Sequence, residues 1–307
     1  MINLNDLTVF LAAAECGNFS KTGRQLHLSQ PAISQKIVSL EKRFGTQLFS
    51  RKGRAVRLTE AGQALQPIAR ELLASACRLE ETMASLQGEV VGEMNIGCST
   101  ASGKYLLPGL IARFRRQFPQ VRINVLISSR NSVLDRLLAG ELSLGVSSKK
   151  IEHRDLDYQD FFTDDVILIA AASHPWANYR HVYPDDILDE PLILREDIAG
   201  TREVLFDGLQ CCDISPDMLN VAMVLGNAEA IVMAVGEEIG VAFVSRLAAE
   251  RDLLMGRVVE VQVDGVDLQR NIYLARNVKL PATRAQTEFW DFVSETKVDL
   301  QKPMVQV

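Results

Sequence analysis

The side chains with chemistry to offer fall into two sets, and neither is a catalytic set. The first is Ser29-Gln30-Pro31-Ala32-Ile33-Ser34-Gln35-Lys36, followed by Arg51-Lys52-Gly53-Arg54 and Arg57. Gln pairs with adenine edges, Ser with several base groups, and Lys or Arg with guanine or phosphate, so this set suits nucleic acid. The second is a series of polar stretches: Ser99-Thr100-Ala101-Ser102, Ser128 to Asn131, Ser147-Ser148-Lys149, Glu196 to Gly200-Thr201-Arg202, Gly226-Asn227, and Ser245. Each follows an extended apolar segment and several open a helix, so together they can hold a small anion at the carboxyl ends of strands. Singly, each is explained as well by a helix cap or a turn.

Other chemistries lack their residues. His27, His153, His174 and His181 are scattered, and the cysteines at 16, 77, 98, 211 and 212 contain no Cys-x-x-Cys pair, so no metal ligand set is expected. Cys211-Cys212 is either a redox element or a pair of small hydrophobes. No Gly-x-Ser-x-Gly elbow or phosphate-cradling Gly-x-x-x-x-Gly-Lys loop occurs. The expectation is a protein that is not an enzyme and carries no cofactor or catalytic residue.

The 307 residues are enough for two or three domains. No apolar run approaches the ~18 residues that span a bilayer, and the first residues lack a basic export signal, so a cytoplasmic protein without membrane contact is expected. The net charge of −6 hides an asymmetry: residues 1–60 carry +5 and the remainder −11. A basic head on an acidic body is the distribution expected when only the head meets phosphates.

Three short helical patterns position the first set. Leu4, Leu7, Phe10, Leu11 and Ala14 give an apolar face, and Gly17-Asn18 ends it. Ser20 is placed to cap a helix over about 21–27. Ser29 caps the next, with Pro31 in its first turn and Ile33, Ile37, Leu40 and Phe44 as its inner stripe. Two short extended pieces then flank Gly53. This is a helix-turn-helix with a wing, which places the third helix in a DNA major groove.

Residues 4–62 resemble the N-terminal domain of the LysR-type transcriptional regulators. The resemblance rests on Phe10-Leu-Ala-Ala-Ala-Glu, Gly17-Asn-Phe-Ser, Leu26-His-Leu-Ser-Gln-Pro-Ala-Ile-Ser34, Gly45-Thr-Gln-Leu-Phe and Leu58-Thr-Glu-Ala-Gly62. One departure stands out: Thr22-Gly23 occupies the place of two alanines, and glycine costs a helix about 1 kcal/mol against alanine. It also permits a close helix crossing.

From 60 to 88 the residues Leu65, Ile68, Leu72, Ala76, Leu79, Met83 and Leu86 form a narrow helical stripe. Such a stripe is a seam for a partner helix, unless the helix lies against its own domain. Pro67 should kink this helix or mark its start. The resemblance implies a linker through which such regulators dimerise. Beyond 93, apolar strands alternate with helical patterns, an α/β organisation. The resemblance continues through Tyr105-Leu-Leu-Pro, Phe114-Arg-Arg-x-Phe-Pro, Leu192-Ile-Leu-Arg-Glu and Gly200-Thr-Arg.

The implied fold is α/β overall: a winged helix-turn-helix over 1–59, a linker helix over 60–88, and an effector-binding domain over 89–307. That domain has two lobes like a type 2 periplasmic binding protein, lobe 1 about 93–162 and 271–307 and lobe 2 about 163–270. Two crossover strands near 162–166 and 267–271 join them. Expected DNA contacts are Ser29, Gln30, Pro31, Ser34, Gln35, Lys36, Arg51 and Arg54. Expected effector contacts are Ser99, Thr100, Ser102, Asn131, Ser147, Thr201, Arg202 and Asn227. The implied partners are double-stranded DNA at an inverted repeat, a small anionic or polar metabolite, RNA polymerase, and further copies of the chain in a homotetramer built as a dimer of dimers. A solute-binding protein without DNA function and an α/β enzyme are the competing classes. The basic head opposes the first and the missing catalytic sets the second.

Overall fold

The computed structural model describes residues 2–52, 55–86, 89–128 and 130–300, without the side chains of 51, 52, 55, 85, 130, 131 and 297–300. Two compact units divide the chain near Gly92.

In the first unit, α1 (Leu4–Cys16) starts at Asn3, whose side chain accepts from the Asn5 N–H, and stops at Gly17 in the left-handed conformation. The next helix, α2 (Phe19–Gln25), begins earlier than its sequence suggests. Asn18, not Ser20, is its cap: the backbone there is extended and Oδ1 accepts from the Lys21 N–H at 3.0 Å. Ser29 caps α3 (Gln30–Phe44) by accepting from the Ala32 N–H, and Gly45 ends it. Strands β1 (Phe49–Lys52) and β2 (Ala55–Leu58) pair antiparallel as the wing. Leu7, Phe10, Ile33, Ile37, Leu40 and Leu48 form the core, with Phe10 and Phe19 each 5.5 Å from the Phe49 ring. Phe44 is exposed rather than part of this stripe, because the helix turns away at Gly45 just after it.

The turn between α2 and α3 explains Gly23. Its carbonyl accepts from the Leu28 N–H at 2.8 Å, and His27 takes a positive φ of 53° to make the corner. A Cβ on residue 23 would lie 2.6 Å from the Leu28 carbonyl oxygen, a backbone atom that cannot swing aside. Glycine here is a condition of this corner, not a softening of it.

Thr59 caps α4 (Glu60–Ser85), a single helix of 26 residues that continues through Pro67. Leu65 and Leu73 pack on the core just described, whereas Ile68, Leu72, Leu79, Met83 and Leu86 are exposed.

The second unit opens with β3 (Gly92–Cys98), then α5 (Leu107–Gln117), β4 (Val121–Ile127), α6 (Arg130–Leu138), β5 (Leu144–Ser147) and the 16-residue β6 (Leu156–Ala171). There follow β7 (His181–Val182), β8 (Leu192–Arg195), α7 (Gly200–Gln210), β9 (Val221–Leu225), α8 (Ala228–Gly236), β10 (Val241–Ser245), α9 (Arg246–Leu254), β11 (Val258–Val263), β12 (Gln269–Asn277) and α10 (Arg284–Leu300). The strand order β4-β3-β5-β12-β6-β10-β8-β9 runs across two lobes. The first half of β6 pairs antiparallel with β12, and the second half pairs with β10 and β11. These two long strands are the crossovers, and β6 changes partners between Asp165 and Val166. One lobe packs α6 on its sheet through Val133, Leu134 and Leu137, and Phe114, Phe289 and Phe292 stack between α5 and α10. The other buries apolar residues on both faces, against α7 on one side and α8 and α9 on the other. Helices on both faces of a largely parallel sheet require strands that read as continuous apolar runs, which Val241–Ser245 and Leu192–Arg195 do.

Candidate effector cavity and DNA-reading helix

Between the strand ends of the two lobes lies a cavity of about 240 Å³. Ser99 and Thr100 reach it from the end of β3, Ser128 from the end of β4, and Ser148 from the end of β5. Arg195, Glu196, Gly200 and Thr201 come from β8 and the start of α7, and Arg270 from β12. Ile127 and Ile198 supply apolar wall.

The start of α7 has the features of an anion seat. Its first N–H groups have no acceptor within the helix, and the cap residue, Ala199, offers no side-chain acceptor. The Thr201 and Ser128 hydroxyl oxygens are buried and have no hydrogen-bond partner among the described residues. Buried polar atoms are normally paired, so two orphan hydroxyls on one cavity point to a molecule that completes them.

The cations nearby are mostly spent. Arg195 donates to both carboxylate oxygens of Glu196, at 2.8 and 2.7 Å, and that contact holds the Glu196 carboxyl below its ordinary value. Arg202 donates to the Arg195 carbonyl at 2.8 Å and pairs with Asp197 at 2.9 Å. Its guanidinium lies over Phe206, outside the cavity lining.

Of the residues expected to hold the effector, Ser99, Thr100 and Thr201 line the cavity. Ser102 lies behind Ser99, with the two hydroxyls 3.2 Å apart. Ser147 is turned back onto the Lys149 backbone, because successive strand residues face opposite ways and it is Ser148 that faces the cavity. Asn227 caps α8 through the Glu229 N–H at 2.8 Å. The Asn131 side chain lies outside the described residues. Ser128, Ser148 and Glu196 belong to the polar strand-end stretches read from the sequence but not to the expected contacts, whereas Arg195 and Arg270 stand in neither, and Arg270 carries no local signal. Cys98 is buried beside Ser99, and burial pushes its thiol up to about 12.

In the first unit, α3 turns Gln30, Pro31 and Gln35 to solvent, with Ser34 half-buried on the same side. Ser29 is committed to its cap. Lys36 is tied back to Asp6 of α1 at 2.8 Å, so its ammonium is an internal strut in this state. The Arg51 side chain and all of Arg54 lie outside the described residues.

Residues 4–63 match the bacterial regulatory helix-turn-helix protein, lysR family, and residues 87–297 match the LysR substrate binding domain. The HTH-type transcriptional activator CmpR of Synechocystis sp. is 31% identical over 271 residues, covering 88% of each chain. Full-length CbnR complexed with its target DNA has the same fold, with a TM-score of 0.69 at 21% identity, covering 96% of this chain and all of that one. The regulatory domain of Synechocystis PCC6803 CcmR in complex with 2-PG superposes with a TM-score of 0.61 at 22% identity, covering 67% of this chain and 97% of that one. With both of its units matched in the family's own order, this chain belongs to the LysR family, DNA-binding transcriptional regulators with a small-molecule effector domain.

Proposed function

We propose that this regulator binds a small anionic metabolite in the cavity at the start of α7, and an interrupted inverted repeat in DNA through paired α3 helices. The buried, unpartnered Thr201 hydroxyl carries the effector reading. It sits on the first turn of a helix whose cap supplies no acceptor, where a phosphate, sulfate or carboxylate is favoured. The relative solved with 2-PG makes that compound the first to try. The division into 1–59, 60–88 and 89–307 is part of the same proposal, as is a homotetramer in which exposed α4 faces pair and RNA polymerase meets the bound assembly. Coupling then requires that the effector favour one arrangement of the paired heads over another.

Footprinting of the promoter beside the gene, with and without 2-PG, sulfate and phosphate, tests the reading. A change in footprint that Thr201→Val abolishes, with ligand-free DNA affinity retained, is the expected result. Unchanged sequence preference in Gln35→Ala and Ser34→Ala would remove α3 from base reading; preference lost at one or two base pairs is expected, at about 1–3 kcal/mol each.

A further inference from the structure

Arg270 sits where the second crossover strand meets the cavity. Directly across the strand pair stands Asp164, and the Arg270 Nε and Nη2 groups both donate to its Oδ2, at 2.8 and 2.6 Å. The other oxygen of Asp164 accepts from the Ser245 hydroxyl at 2.7 Å. Asp164 is only 3% exposed and Arg270 11%, so the ion pair is nearly dry. This arrangement uses one edge of the guanidinium. The remaining nitrogen, Nη1, donates to no described residue and lies over Gly200, close enough that a Cβ there would be 3.3 Å away.

We infer that Arg270 reads the charge of the effector, with Asp164 and Ser245 as positioning residues. Its free edge, the open N–H groups of α7 and the Thr201 hydroxyl converge on one small volume, which fits a single compact oxyanion. Arg195 spends the same two nitrogens, Nε and Nη2, on Glu196 and the Gly226 carbonyl; what sets Arg270 apart is that its Nη1 lies against the first residue of α7. Asp164 offsets most of the Arg270 charge, so the neutral donors of α7 and Thr201 carry much of the contact with the anion. A Cβ at 200 would meet Ser148 Oγ at 2.8 Å and Nη1 at 3.3 Å, so glycine is what lets the guanidinium lie this close to the start of α7. The inference rests on the cavity reading above and adds the residue that selects for charge.

The test uses the full-length protein, with inorganic phosphate, sulfate and 2-PG as probes, read by calorimetry and ligand-induced melting shift. The neutral pair D164N/R270Q should weaken every probe that binds the wild type by about 10- to 100-fold, the value of a charged hydrogen bond. Its DNA affinity without probe should be unchanged. R270K, which keeps the charge for Asp164 but loses the second edge, should weaken binding at least 10-fold and serves if the double variant does not fold. Wild-type affinity in D164N/R270Q, or in R270K, together with loss in Thr201→Val overturns the role of Arg270 and leaves the cavity reading standing. Wild-type affinity in all three variants places the ligand elsewhere and overturns both, as does a wild type that responds to none of the probes at millimolar concentration.

Discussion

At the scale of single residues, the decisive facts concern which polar groups are already occupied. Lys36 and Arg202 read in sequence as ligand-facing cations, yet Asp6 and Asp197 hold them. Such pairing depends on residues that only folding brings near, so spacing along the chain does not disclose it. Gly23 shows the same limit. On helix propensity alone, Gly23→Ala should gain about 1 kcal/mol. Because its Cβ would press on the Leu28 carbonyl, we expect a loss of about 1–3 kcal/mol, seen as a lower denaturation midpoint of the DNA-binding domain. Cys98 and Cys211 make a second contrast. At neutral pH an alkylating reagent should modify exposed Cys211 in the native protein and reach Cys98 only on unfolding, because burial holds the Cys98 thiol protonated up to about pH 12. Mass mapping of the labelled peptides checks this.

At the scale of elements, the helix caps, the wing and the strand-helix alternation were largely legible. They follow from local chemistry: Ser29 before apolar periodicity, Gly17 after it, and continuous apolar runs for buried strands. The error at α2 was one of competition between two good caps, Asn18 and Ser20, which the backbone at residue 18 decides. Helix α4 is about 39 Å long, and Leu72, Leu79 and Met83 of its stripe stay exposed over about 17 Å of it, while Leu65 packs on its own domain. A helix with that much uncovered apolar surface is expected to pair. Leu72→Lys with Leu79→Lys should reduce the particle mass in sedimentation while leaving the helix content unchanged; an unchanged mass would mean that α4 is not an assembly interface.

At the scale of the whole effector domain, the two lobes touch beside the cavity through side chains. Lys104 and the Tyr105 hydroxyl, at 2.7 Å, both engage Glu229 at the start of α8. Lys104 and then Tyr105 hold the Glu229 carboxyl below its ordinary value of 4.5, and burial with Glu229 pushes the Tyr105 hydroxyl up. Since the folded value of Glu229 is lowered, its contribution is complete above the ordinary carboxylate value and is lost as pH falls through the lowered one. The melting difference between wild type and Glu229→Gln should therefore shrink as pH drops below 4.5. At neutral pH the variant should release effector about 2- to 5-fold faster, the scale of a partly exposed ion pair, measured by stopped-flow displacement.

What the sequence determined by itself is the order of parts: a basic winged helix-turn-helix, a striped helix, and an α/β domain with polar strand ends; the two lobes came from the family resemblance. Those features are written in periodicity, capping and charge over stretches of a few to thirty residues. Which of the polar strand ends share a cavity was left to the tertiary structure. Thr201 and Ser128 face it unpaired while Ser147 and Asn227 serve the backbone, and Arg270 enters from far along the chain beside Asp164. Strand alternation sets which side a residue faces, but only the pairing of β6 with β12 sets that guanidinium against Asp164, 106 residues away in the chain.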